Sequence, residues 1–138
     1  MKRSFIVISL FVSTVFSMPT YAKKATDCDN LAGVWTNSSG RIFTIEKADV
    51  KTGELSGFYQ LPASIDATKY VAKGWVNSSN AVTFAVRWQG WTSISSWIGM
   101  CNKVNGKPQL DFIWHQVRMN KSPANERLST GSITFFPK

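Results

Sequence analysis

Val82-Thr83-Phe84-Ala85-Val86-Arg87-Trp88 sets large apolar side chains at Val82, Phe84, Val86 and Trp88 against Thr83, Ala85 and Arg87. A repeat of two places the large residues on one face of an extended chain, which marks a strand with one buried side. The same alternation recurs at Leu110, Phe112 and Trp114 against Asp111, Ile113 and His115, and at Arg41, Phe43 and Ile45 against Ile42, Thr44 and Glu46. Turn signals separate these runs: Ser38-Ser39-Gly40, Lys51-Thr52-Gly53, Asn77-Ser78-Ser79-Asn80 and Asn105-Gly106. The last pair is a strong tight-hairpin signal. Reading between turns predicts eight strands, near 33–37, 41–47, 54–61, 70–77, 80–89, 93–103, 107–117 and 127–136. They follow one another without helical crossovers. The expected fold is all-β, an eight-stranded antiparallel up-and-down β-barrel whose closure removes exposed edges. A barrel of that size holds side chains or one small ligand.

Composition agrees with one compact domain. The chain has 138 residues, 43% hydrophobic and 13% aromatic, with six Trp and nine Phe. That is too apolar for a disordered chain, and 17% charged residues is too few for a coiled coil or a charged bundle. One His and two Cys exclude most metal sites built on His/Cys clusters. The net charge is +8, but the Lys and Arg residues are scattered, so a nucleic-acid groove is not indicated.

The first residues read as a leader. Met1-Lys2-Arg3 is basic, Ser4–Met18 is apolar, and Pro19-Thr20-Tyr21-Ala22 offers a cleavage point after Ala22. The apolar run is shorter than the roughly 20 residues of a spanning helix. The expectation is a secretory signal peptide over 1–22 and a barrel domain over 23–138. The mature protein would be secreted or periplasmic, with no membrane association after cleavage. Loss of Lys2 and Arg3 leaves 14 basic against eight acidic side chains, a balance of +6. In an oxidising compartment Cys28 and Cys101 form an even pair, and a disulfide is the default.

The ordered set of Trp35, Asn37, Tyr59, Trp88, Ser93, Ser95, Trp97 and Trp114 resembles the avidin/streptavidin family. Carrying the likeness are Gly33-Val34-Trp35-Thr36-Asn37 with Gly40, Gly57-Phe58-Tyr59, Phe84–Trp88, Ser93–Gly99, then Gly106, Leu110 and Trp114, and finally Gly131 with Phe135. Together they cover roughly 33–136. Cys28 and Cys101 also fall where some members carry an intrachain disulfide. The resemblance implies a barrel that binds biotin as a ligand rather than a cofactor. Asn37 and Tyr59 would donate to its ureido oxygen, and Trp88, Trp97 and Trp114 would wall its rings. Ser93 would meet the valeryl carboxylate and Ser95 the ring sulfur. Aromatic residues at a repeat of two are also what core packing produces, and Trp35 reads as barrel floor. Two hydroxyls on the same inward face as Trp97 are unusual for a plain core, because a buried hydroxyl needs a partner.

Four positions depart from the family pattern. Arg41 stands where a small hydroxyl would donate to the ureido oxygen, and Leu61 replaces another hydroxyl beyond the tyrosine. Ile133 replaces the polar contact to a ureido nitrogen, and Gln116 an apolar wall residue. The Trp that a neighbouring subunit lends as a lid aligns with Asn125. Each hydrogen bond lost to a buried polar group costs about 1–3 kcal/mol, and a lid Trp about 2 or more. A total loss of roughly 5–10 kcal/mol, set against the ceiling of about −18 to −21 kcal/mol that biotin–streptavidin exemplifies, implies nanomolar to micromolar binding. An Arg41 that enters the cup needs an acceptor, which opens an alternative: a barrel repurposed for another, anionic ligand or a protein partner.

An enzyme is not expected, since no nucleophile–base pair or metal set is present. His115 falls on the strand face opposite Trp114, outside the cup. Asn37, Asn77 and Asn120 each begin an Asn-x-Ser/Thr triplet, which carries little weight without a eukaryotic secretory route. Outward Ile42, Ile94, Ile98, Met100 and Ile113 are too apolar to leave wet, so a homo-oligomer, dimer or tetramer, is expected.

Overall fold

A computed structural model describes residues 26–118 and 127–138; the leader over 1–22 and Asn125 and Asn120 lie outside the described residues. Eight strands follow in chain order: β1 (Gly33–Thr36), β2 (Ile42–Asp49), β3 (Glu54–Gln60), β4 (Lys69–Val76), β5 (Ala81–Trp88), β6 (Ser93–Val104), β7 (Lys107–Arg118) and β8 (Arg127–Pro137). Each pairs antiparallel with the next, and β1 pairs with β8 through Trp35↔Pro137 and Thr36↔Phe136 to close the barrel. The predicted strands stand within two residues of these limits. At Asn105-Gly106 both residues take left-handed angles (φ 51° and 75°), as a two-residue hairpin turn requires. Asn37, expected as the end of the first strand, instead opens the β1–β2 turn. Its side chain is recruited there: Asn37 Oδ1 accepts the Arg41 N–H at 2.9 Å and the Ser39 hydroxyl at 3.1 Å. An Asx turn of this kind competes with strand pairing.

The inward faces fill the barrel unevenly. Phe43, Phe84, Phe112 and Phe135 are all buried and pack as an inner phenyl layer, Phe43 stacked on Phe84 with centroids 4.1 Å apart. Trp35 is fully buried, and its Nε1 donates to the Leu31 carbonyl at 2.8 Å, so the segment before β1 is held against the barrel. Cys28 and Cys101 form the expected disulfide, tying that segment to β6 with Cα atoms 5.4 Å apart. Lys103 adds an ion pair to Asp27 at 3.1 Å. One end of the barrel is thereby closed.

On the outside, Ile94, Ile98, Met100 and Ile113 are exposed on β6 and β7. Ile42 departs from the expectation that grouped it with them. It is half-buried on β2, paired to Thr36 and Gln60, on a different part of the wall. The exposed row gains Trp75 and Val117 instead.

Candidate functional site

The strand alternation that buries Phe84 and Phe112 also aims a second tier of residues at the other end of the barrel. There a cavity of about 670 Å³ opens, within the range of small-molecule sites. Asn37, Tyr59, Trp88, Ser93, Ser95, Trp97 and Trp114 all line it, as do Arg41, Leu61, Gln116 and Ile133. The structure therefore brings every residue singled out from the sequence as a pocket position to one place. His115 is exposed on the opposite face of β7, as expected.

The aromatic walls are fixed by their neighbours. Trp97 stacks on Phe84 at 4.6 Å with planes 5° apart, and its ring lies 4.8 Å from that of Tyr59. Trp88 stands perpendicular to Tyr59 at 5.8 Å and edge-on to Tyr70 at 4.8 Å. Tyr70 in turn donates its hydroxyl to Asp66, anchoring the β3–β4 loop, from which Ile65 reaches the cavity. The Thr68 hydrogen bonds, with that contact, hold the Asp66 carboxyl below its ordinary value. Trp114 is half-buried, and β8 offers it Gly131 directly across the sheet.

The polar groups divide into engaged and unengaged. Trp88 Nε1 donates to Ser95 Oγ at 2.8 Å within the buried wall, leaving the Ser95 O–H to donate elsewhere. Ser93 Oγ and Trp97 Nε1 are buried with no hydrogen-bond partner among the described residues. Burial pushes the Tyr59 hydroxyl well above the ordinary phenol range, and the Arg41 charge offsets only part of that. Tyr59 thus remains a neutral donor across the physiological range. Asn37 spends its oxygen on the turn, so its amide N–H groups are the part left to recognise a ligand.

Arg41 takes neither of two simple courses, leaving the cup or plunging into it. It is half-buried along the cavity wall, and its Nη1 donates to Ser39 Oγ at 2.6 Å. Among the lining residues not singled out from the sequence are Trp91, Arg118 and Ser39. Arg118 lies over the Trp91 ring, 5.8 Å from its centroid, and is the cross-strand partner of Ser93. The hairpin register would have revealed it, since pairing outward from Asn105-Gly106 sets Ser93 against Arg118; the predicted strand stopped one residue short.

The family model described as Avidin family matches residues 25–136. No curated protein matches the sequence significantly. Among solved structures the chain is similar to apo shwanavidin, 26% identical over 78% of this chain and 100% of that one, with a TM-score of 0.64. A shwanavidin variant in complex with biotin is also 26% identical, over 79% of this chain and 98% of that one, with a TM-score of 0.62. The rhizavidin–biotin complex shares the fold at 21% identity, covering 76% of this chain and 97% of that one, with a TM-score of 0.65.

Proposed function

The chain belongs to the avidin family, and from that premise we propose that the open end of its barrel binds biotin with reduced affinity. One observation carries the reading: Trp88, Trp97, Trp114, Ser93, Ser95, Asn37 and Tyr59 converge on a single cavity of about 670 Å³. Trp88, Trp97 and Trp114 wall the apolar bicycle. The Asn37 amide and the Tyr59 hydroxyl donate to the ureido oxygen, the Ser95 hydroxyl meets the ring sulfur, and Ser93 meets the carboxylate. Ser93 Oγ has no partner among the described residues, so a ligand oxygen there removes a desolvation cost of about 1–3 kcal/mol. Affinity is reduced because Arg41, Leu61 and Ile133 replace polar contacts and Gln116 replaces an apolar one. The function is binding and not catalysis, in a protein secreted or periplasmic after removal of residues 1–22. The exposed face of Ile94, Ile98, Met100 and Ile113 packs on a second copy in a homo-oligomer.

Trp88, Trp97 and Trp114 make the test direct. Biotin added to the purified protein should quench or shift tryptophan fluorescence saturably. An unchanged spectrum at micromolar biotin counts against the proposal.

A further inference from the structure

The cavity is one-sided in charge. Arg41 and Arg118 are its charged lining residues, and no Asp or Glu lines it among the described residues. Neither guanidinium has a carboxylate partner among the described residues; the ion pairs there join Lys47 to Glu54 and Lys103 to Asp27 and Asp29. Of the five N–H groups that an arginine carries, Arg41 places one on Ser39 Oγ. Arg118 faces Trp91 and stands across the sheet from Ser93, whose buried hydroxyl has no partner among the described residues. Donors therefore collect in two groups: Arg41 and the Asn37 amide from the β1–β2 turn with the Tyr59 hydroxyl of β3, and Arg118 of β7 with Ser93 of β6. Leu61, Trp97, Trp114 and Ile133 give the same cavity its apolar lining.

A ureido head has N–H groups that need an acceptor, and Ile133 offers none. A carboxylate has none to satisfy and pairs with guanidinium in a bidentate fork. We propose that the cup takes a linear dicarboxylate, one carboxylate held by Arg41 with Asn37 and Tyr59, the other by Arg118 with Ser93, and the alkyl chain lying along the indoles. This rests on the open cup being the binding site, as proposed above, and not on biotin being its occupant.

The test is calorimetric titration of the purified protein, and of its R41S and R118S variants, with azelate, with nonanoate as the monocarboxylate of equal length, and with biotin. Matched melting temperatures establish that the variants fold. Azelate should bind the parent protein at least about tenfold more tightly than nonanoate, as one added charge-assisted contact provides. That preference should vanish in R41S and in R118S. Equal binding of azelate and nonanoate, or a preference that survives R41S, overturns the inference. Biotin heats judge the proposed function separately. Biotin bound and azelate ignored overturns the dicarboxylate alone; azelate bound and biotin ignored supports it and overturns the biotin reading.

Discussion

Gly131 sits directly across the sheet from Trp114, and the space its missing side chain leaves is where the indole lies. A Cβ at Gly131 would stand 2.7 Å from Trp114 Cζ2 and 2.9 Å from its Nε1. The glycine is thus a condition of the wall rather than of the backbone. Gly131→Ala should push the indole into the cup and weaken ligand binding by about tenfold. Titration of the variant checks this, and an unchanged affinity would show that the indole relaxes freely.

Ser95 supports a second wall. Its Oγ accepts the buried Trp88 N–H, so Ser95→Ala strands that donor and should lower stability by about 1–3 kcal/mol. Ser95→Thr keeps the hydroxyl and should recover most of the loss. Urea unfolding of both variants measures the difference.

The barrel and its inward-facing site were legible in the sequence because a strand's repeat of two is written residue by residue. Val82 to Trp88 and Ser93 to Trp97 each declare a face, and the cup inherits it. Less legible was anything set by turns or by register between strands. Asn37 left its strand because its side chain caps the β1–β2 turn. Ile42 was grouped with β6 and β7 although alternation says only that it points outward, not which neighbours share its patch. Arg118 escaped because its place beside Ser93 depends on pairing rather than on its own neighbours in the chain.

Asp111 makes stability depend on acid. Its partial burial alone would raise the carboxyl, but hydrogen bonds from Gln109, Thr134 and Asn102, at 2.7–3.1 Å, outweigh that and hold it below the ordinary value of 3.8. A depressed folded-state value means that ionised Asp111 stabilises the fold above the ordinary carboxylate range. That contribution fades as pH falls through the lower folded-state value. Asp111→Asn should therefore melt below the parent protein at neutral pH, with the gap closing below about pH 4. A gap independent of pH would mean that the charge is not what matters.

The disulfide between Cys28 and Cys101 spans a sequence separation of 73. In the chain-entropy model a loop of that size is worth about 4 kcal/mol. Replacing both cysteines by serine should lower unfolding free energy by that order while leaving ligand affinity nearly unchanged, since the bridge lies at the closed end. Denaturant unfolding and titration of the same variant separate the two effects.

The proposed function requires one ligand-binding cup in each barrel, open to biotin. Calorimetric titration of the protein from Lys23 onward with biotin tests that. Binding should saturate in the nanomolar to micromolar range, with about one biotin per chain. The absence of saturable heat at about 100 µM biotin, a concentration that would fill a micromolar site, would contradict it.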